Sequence, residues 1–343
     1  MQLVTYLLLS CVLGRAARKF LPRYGLVMLV TAGVAAELDF VSYFAGPASF
    51  LKFHRTVLHS AAGALVMCCC IVGIYFLIDR SRRDKTAEAN SSEFRISSAL
   101  VVCMVGAAAH ILLDLGDGIG VRLFWPFRQS WQAWDLLPSF DLWILVVLGA
   151  GLAIPYLGRL VSEEIGERRR GAFGATAARV ALVMVVLYAG GRMILHSRAT
   201  ELLRSRDYRG EAPQNAGAFA ASSNPFAWRG LVSTSAAIYE LNISLLPGAG
   251  FDPEHAVPHY KPEESAAIAA AQNTADGKLF LNYARFPLAA IEPQDTGPEV
   301  TIRDLRFPAG DKSIENIVLD TRVDSDSRIA AQQLRFASVA RAR

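Results

Sequence analysis

The chain has 343 residues, of which 52% are hydrophobic and 19% are charged. This composition excludes a disordered polypeptide, because apolar residues are too many and charged residues too few. The 35 Lys and Arg against 31 Asp and Glu leave a formal net charge of only +4, which does not favour a nucleic-acid-binding protein. Because the apolar residues concentrate in the first two hundred positions, the composition indicates an integral membrane protein.

Six apolar runs predict membrane-spanning helices, since a hydrocarbon core of about 30 Å requires roughly 20 helical residues. They are Gln2 to Leu13, Tyr24 to Phe44, Val57 to Ile78, Ser97 to Leu115, Phe140 to Leu157, and Ala177 to Leu195. The first run is short and lacks the flanking features of a signal peptide, so we interpret it as a short or tilted helix. The sequence thus predicts an α-helical integral membrane domain of about six transmembrane helices over residues 1–196.

The distribution of Lys and Arg predicts the orientation, because cytoplasmic loops close to membrane helices are enriched in both. The loops after the first, third and fifth runs hold 14 basic residues, against 8 on the opposite side. We therefore expect a multi-pass protein of the cytoplasmic (inner) membrane with its amino terminus outside the cell.

The polar remainder, 197–343, is predicted to be a small soluble α+β domain outside the cytoplasm, with a linker over 205–224. Strands are expected within Trp228 to Leu246 and at Lys278 to Phe286, Val300 to Phe307 and Ile317 to Val323. A helix is expected at Pro262 to Gln272.

Ionisable residues interrupt the apolar runs at four places, although a charge in hydrocarbon costs several kcal/mol without a partner or a function. They are Glu37 and Asp39 in the second run, His54, Arg55 and His59 around the start of the third, His110, Asp114 and Asp117 at the end of the fourth, and Asp135 and Asp141 around the start of the fifth. Because a helix that runs outward ends where the next one begins, all four places share the outer interface.

These residue types suit a divalent metal site. His110 and Asp114 are one helical turn apart, so an imidazole and a carboxylate can bind the same ion. His54 and His59 would point about 140° apart on a continuous helix, and they converge only if His54 lies in a loop. The predicted ligands or proton carriers are Glu37, Asp39, His54, His59, His110 and Asp114, around one or two ions such as Zn²⁺ or Mn²⁺.

Other interpretations of single residues stay open at this point. Asp135 and Asp141 precede a helix, where aspartate often serves only as an N-cap. Arg55 either binds an anionic group of a substrate or neutralises neighbouring carboxylates.

The motifs at these positions resemble the YdjM-like family of inner-membrane metal-dependent hydrolases, in the branch with a carboxy-terminal extracytoplasmic domain. The similar elements are Glu37-Leu38-Asp39, His54-Arg55-Thr56-Val57-Leu58-His59-Ser60, and His110-Ile111-Leu112-Leu113-Asp114 followed by Gly120 and Pro126-Phe127. The chain departs from the family pattern at four positions, one of which is Ala36 in place of a Pro. Glu37 replaces an Asp, Asp117 stands where Asn or Ser is common, and Tyr6 stands where a histidine is often found, which leaves the number of metals open.

The resemblance and the residues together predict a membrane-bound metal-dependent hydrolase with its site at the outer membrane face. The expected substrate is an ester or phosphoester of a lipid-linked or envelope molecule, with membrane lipids as neighbours and no nucleic-acid partner. The residues expected to serve catalysis or to support it are Glu37, Arg55, Asp117, Asp135 and Asp141. An ion or proton transporter, and a non-catalytic membrane anchor with a structural metal site, are the alternatives.

Overall fold

The computed structural model describes residues 2–83, 94–164, 173–248, 251–294, 297–308, 310–324 and 328–338. Two compact units make up the chain. The helical unit comprises Met1–Asp39 and Arg55–Met193, and the sheet unit comprises Phe40–His54 and Ile194–Arg343. The sheet unit thus includes a short segment from the amino-terminal third of the chain, which the predicted domain boundaries did not separate.

Seven helices occupy the described part of the chain up to residue 204. They are α1 (Gln2–Ala16), α2 (Gly25–Ala35), α3 (Pro47–Phe53), α4 (Ala61–Arg83), α5 (Ile96–Gly116), α6 (Leu142–Glu164) and α7 (Phe173–Arg204). Short 3₁₀ helices cover Arg18–Phe20 and Ala36–Ala45. In the helical unit, α5 packs against α1, α2 and α4, so its side chains form much of the core.

Four described helices are long and apolar enough to span a membrane: Gly25–Ala45, Ala61–Arg82, Ile96–Gly116 and Gly174–Arg204. Among the described residues, the predicted number of about six is therefore corrected to four. The first and fifth runs form the shorter apolar helices Gln2–Ala16 and Leu142–Gly158. At a rise of 1.5 Å per residue the first reaches only about 22 Å, less than the hydrocarbon thickness. Four basic residues used to predict the orientation, Lys85 and Arg168 to Arg170, lie outside the described residues.

Two glycines allow a close approach between α2 and α5. A Cβ atom at Gly106 would lie 2.4 Å from the carbonyl oxygen of Leu29 and 3.1 Å from the Gly33 nitrogen, and one at Gly33 would lie 3.6 Å from the carbonyl oxygen of Gly106. Small residues permit such backbone contact between membrane helices. The approach brings the carbonyl of Gly33 within hydrogen-bonding distance of a side chain on α5, which matters for the candidate site.

The sheet unit contains two four-stranded antiparallel sheets, which confirms the predicted α+β class. The first has the order β1 (Asn215–Ala220), β2 (Ala227–Ser233), β3 (Ala237–Ser244), β4 (Val257–Tyr260). The second has the order β5 (Pro287–Glu292), β6 (Glu299–Asp304), β7 (Ile317–Val323), β8 (Ile329–Phe336). Between the sheets in the chain lie α8 (Ala266–Asn273) and α9 (Ala275–Tyr283), preceded by a 3₁₀ turn at Pro253–His255. Leu231, Ile238, Phe286, Leu288 and Leu305 form an apolar core between strands of both sheets.

The structure confirms some predicted elements of the sheet unit and contradicts others. The strand Ile317 to Val323 is confirmed as β7, and the helix Pro262 to Gln272 overlaps α8. The strand predicted at Lys278 to Phe286 is wrong, because residues up to Tyr283 form α9. Thr274 starts this helix by accepting a hydrogen bond from the Gly277 amide at 2.8 Å. β1 falls within the segment 205–224 that was predicted to be a linker.

Candidate metal centre

The candidate site is assembled from separate segments of the helical unit. Helix α2 ends at Ala35 and gives way to a 3₁₀ helix that carries Glu37 and Asp39. His59 lies in the turn before α4, and Ser60 next to it accepts a hydrogen bond from the Gly63 amide at 3.0 Å. His110 and Asp114 lie on the last turns of α5.

Glu37, His59 and His110 form a group that could hold a metal ion. One ligand atom of each residue lies within 4.8 Å of the others. The two Nε2 atoms of the histidines are 3.1 Å apart, and Glu37 Oε1 is 3.7 Å from His110 Nε2. Both imidazoles are buried, whereas the Glu37 side chain is 24% exposed. The group therefore has a buried side and an accessible side.

Each imidazole forms a hydrogen bond through Nδ1, the ring nitrogen that does not face the other histidine, and this bond fixes its tautomer. His110 Nδ1 donates to the carbonyl oxygen of Gly33 at 2.8 Å, and His59 Nδ1 donates to Asp39 Oδ2 at 2.8 Å. Because a carbonyl and a carboxylate only accept, each Nδ1 carries the proton and each Nε2 of the neutral ring carries a lone pair. Two lone pairs thus face each other at 3.1 Å, an arrangement that a bound cation stabilises.

Asp114 adds a further acceptor to the same point. Its Oδ2 lies 3.1 Å from both Nε2 atoms, and in the described part of the chain no donor satisfies this buried oxygen with hydrogen-bond geometry. Two imidazole nitrogens and carboxylate oxygens are a donor set that binds Zn²⁺ or a similar divalent ion. The residues therefore fit a divalent metal.

Arg55 lies beside this cluster and faces carboxylates. Its backbone is left-handed, with φ of 53°, and its amide donates to Asp39 Oδ2 at 2.8 Å. The guanidinium donates to Asp117 Oδ2 at 2.8 Å and lies 3.4 Å from Asp114 Oδ1, with the side chain only 1% exposed. Of the two interpretations of Arg55, this geometry favours neutralisation of the neighbouring carboxylates.

The other predicted site residues are not members of the three-residue group. His54 follows α3 in the sheet unit and stacks on the Phe50 ring at 4.3 Å. Asp135 is buried with a left-handed backbone, φ 56°. Asp141 caps α6, since its Oδ1 accepts from the amides of Trp143 and Ile144 at 2.9 and 3.1 Å. Asp117 uses its Oδ1 in the same way for the amides after α5.

Two residues of α1 contact the cluster, and the sequence did not predict either of them as a site residue. Tyr6 donates to Asp114 Oδ1 at 2.5 Å, and its ring centroid lies 3.8 Å from that of His110. Gln2 accepts from Arg55 Nη2 at 3.1 Å and donates to Asp117 Oδ2 at 3.2 Å. The available signal was their spacing, because polar residues four apart at the start of an apolar run lie on one helix face.

Comparison with known proteins gives one family. The model of the family described as YdjM inner membrane protein matches residues 1–199, which is more than half of the chain and includes every residue of the candidate centre. No curated protein and no solved structure is similar enough to match. The chain therefore belongs to the YdjM inner membrane protein family.

Proposed function

We propose that this protein is a metal-dependent hydrolase that acts on an ester or phosphoester of a lipid-linked or envelope substrate. The observation that supports it best is the convergence of two imidazole lone pairs and the Asp114 Oδ2 atom on one buried point. Such a set of acceptors is costly unless a cation binds there. A cation with an accessible side is the common feature of metal-dependent hydrolytic sites.

We also propose how the chain is arranged in the membrane. The polypeptide crosses the inner membrane several times, with the metal centre at the outer face and the sheet unit outside the cytoplasm. The 14 to 8 distribution of basic residues supports this orientation.

The roles of the residues follow from their accessibility. A bound divalent ion would supply Lewis acidity and lower the pKa of a bound water. His59, His110 and Asp114 are at most 1% exposed and would hold the ion. Glu37 is the accessible carboxylate, at 24% exposure of its side chain. It takes a proton from the attacking water, whose oxygen bonds to the carbonyl carbon or phosphorus, and returns that proton to the departing oxygen as its bond breaks.

A loop next to the centre supports a substrate that resides in the membrane. The Arg122 amide donates to the Arg55 carbonyl at 3.0 Å, and the Ala61 amide donates to the Leu123 carbonyl at 2.9 Å, so the loop is tied to the segment that carries His59. The same loop exposes Phe124 by 49% and Phe127 by 87%. Exposed large apolar side chains of this kind favour contact with a membrane, where lipid-linked substrates lie.

The experiment compares the wild-type chain with His110→Ala in nanodiscs. Bound metal is measured by elemental analysis, and hydrolysis is measured on a phospholipid and on its soluble deacylated headgroup. We expect metal and hydrolysis to be lost together while the thermal unfolding midpoint changes little. His255→Ala, at an exposed histidine of the sheet unit, is the matched control and should behave as wild type.

Two results would contradict the proposal. If His110→Ala no longer folds, the metal is structural and the anchor interpretation is correct. If the wild type shows ion flux in sealed vesicles but hydrolyses neither substrate, the protein is a transporter.

A further inference from the structure

We infer that the centre holds a single metal ion and that Tyr6 is a positioning residue that keeps Asp114 bound through one oxygen only. This inference rests on the metal binding in the proposed function and not on the hydrolysis. It concerns a residue of α1 that contributes no ligand atom.

Tyr6 contacts both metal-facing residues of α5. The phenol is 3% exposed, its hydroxyl donates to Asp114 Oδ1 at 2.5 Å, and its ring lies against the His110 ring at a centroid distance of 3.8 Å. Since His110 and Asp114 are one helical turn apart, a single side chain restrains both. The contact on the ring fixes the plane of the imidazole, and the hydrogen bond fixes the rotation of the carboxylate.

The two oxygens of Asp114 face different partners. Oδ1 accepts from Tyr6 and lies 3.4 Å from Arg55 Nη2, whereas Oδ2 faces the two imidazole nitrogens at 3.1 Å. A bidentate carboxylate must direct both oxygens at the ion. The donors at Oδ1 oppose that rotation, so Asp114 binds through Oδ2 alone.

The neighbouring carboxylates are already hydrogen-bonded, which argues against a second ion. Asp39 Oδ2 accepts from His59 Nδ1 and from the Arg55 amide, both at 2.8 Å. Asp117 accepts from two backbone amides at Oδ1, and from Arg55 and Gln2 at Oδ2. A two-metal site places its ions about 3.5–4 Å apart and needs carboxylates for both. Because Asp39 Oδ2 and both oxygens of Asp117 already accept from Arg55, His59, Gln2 and backbone amides, the pocket suits one ion.

The test uses Tyr6→Phe, which removes the hydroxyl and keeps the ring on His110. Tyr188→Phe is the matched control, because Tyr188 also donates to a buried aspartate of the helical unit, Asp141 Oδ2 at 2.8 Å, but not to a metal-facing one. Full-length protein is stripped of metal, titrated with Co²⁺ and followed by visible absorption, and its Zn²⁺ content is measured by elemental analysis.

We expect one ion per chain in the wild type and in both variants. Tyr6→Phe should bind Co²⁺ about 10- to 100-fold more weakly, the range for loss of an outer-shell hydrogen bond. Its absorption bands should also weaken, because Asp114 becomes free to bind through both oxygens and the coordination number rises. Tyr188→Phe should match the wild type in affinity and spectrum.

Two ions per wild-type chain would overturn the single-ion assignment, and a wild-type spectrum and affinity in Tyr6→Phe would overturn the role of Tyr6. Should that variant fail to fold, X-ray absorption on Zn²⁺-loaded wild type decides the same question, since a bidentate carboxylate contradicts the inference. One bound ion without hydrolysis would leave this inference intact and contradict only the proposed activity.

Discussion

Two buried carboxylates, Asp304 of the sheet unit and Asp114 of the helical unit, have opposite surroundings. In the sheet unit, Asp304 accepts from the amides of Phe286 and Arg306 at Oδ1, and from the Arg285 amide and Arg306 Nε at Oδ2. In the helical unit, Asp114 Oδ2 lies 3.1 Å from two imidazole nitrogens, which are acceptors when both rings are neutral. A buried acceptor surrounded by donors stabilises a fold, whereas a buried acceptor that faces other acceptors needs a cation. The difference separates a structural carboxylate from a functional one.

The largest effect is expected from His59→Ala, which removes a ligand atom. We expect the metal content of purified protein to fall almost to zero, a loss of affinity beyond the roughly 100-fold upper range for an outer-shell residue. His259→Ala is the control in the sheet unit, where His259 pairs with Glu240 at 3.1 Å, and it should keep the wild-type content. If His59→Ala still bound a stoichiometric amount of metal, the contrast between Asp114 and Asp304 would not reflect a need for a cation.

Asp304→Asn tests whether the donor-surrounded carboxylate of the sheet unit stabilises the fold. Removing one charge of the buried pair with Arg306 should destabilise the sheet unit by about 3–5 kcal/mol, because the guanidinium keeps its charge without an ionic partner. Hydrogen exchange of β5 to β7 against urea concentration measures this loss. Metal content should stay at the wild-type level in native buffer; a parallel loss of metal would show that the two classes of carboxylate are not independent.

Asp39→Asn should have an intermediate effect, since Asp39 contacts a ligand and not the ion. The amide keeps the shape but lowers the basicity of His59, so metal affinity should fall about 10- to 100-fold. Asp141→Asn is the matched control, because Asp141 caps α6 and its change should affect helix stability alone. Competition with a chromogenic chelator measures both affinities, and equal affinities in the two variants would argue against the orienting role of Asp39.

The sequence could predict site contacts between residues close together in the chain, but not contacts between residues far apart in it. The spacing of His110 and Asp114 follows from helix geometry, and both residues lie together as that geometry requires. The contact of Tyr6 with Asp114 joins residues 108 positions apart, and no local pattern encodes it. The hydrogen bond from His110 to Gly33 depends on a close helix approach that only the packed structure shows.

The same limit applies to the fold. Hydropathy identified the apolar runs, but the number of spans also requires helix length, and α1 is 15 residues long. The segment Lys278 to Phe286 has residues that suit a strand, yet the Thr274 cap starts a helix there. Phe40–His54 belongs to the sheet unit because α3 packs against α9 and β8. The Phe50 and Phe336 rings, for example, lie 5.7 Å apart although almost three hundred residues separate them in the chain.

The smallest expected effect is the change in stability of the sheet unit with pH. Burial raises the pKa of Glu240, but hydrogen bonds from Arg229 at 2.6 Å and from His259 outweigh it, so the pKa lies below its usual value. A lowered pKa contributes stability above the unfolded value of about 4.3, and that stability is lost as pH falls through the folded-state pKa.

Arg229 also donates to the carbonyls of Leu305 and Arg306 at 2.8 Å, so it keeps partners when Glu240 is protonated. The pH-dependent contribution should therefore stay near 0.2–1 kcal/mol, about that of a partly exposed ion pair. Urea unfolding of the sheet unit between pH 7 and pH 3 measures it, with Glu240→Gln as the comparison. The variant should lose this acid-dependent part and no more; an unchanged pH profile would mean that other carboxylates determine the acid sensitivity of the unit.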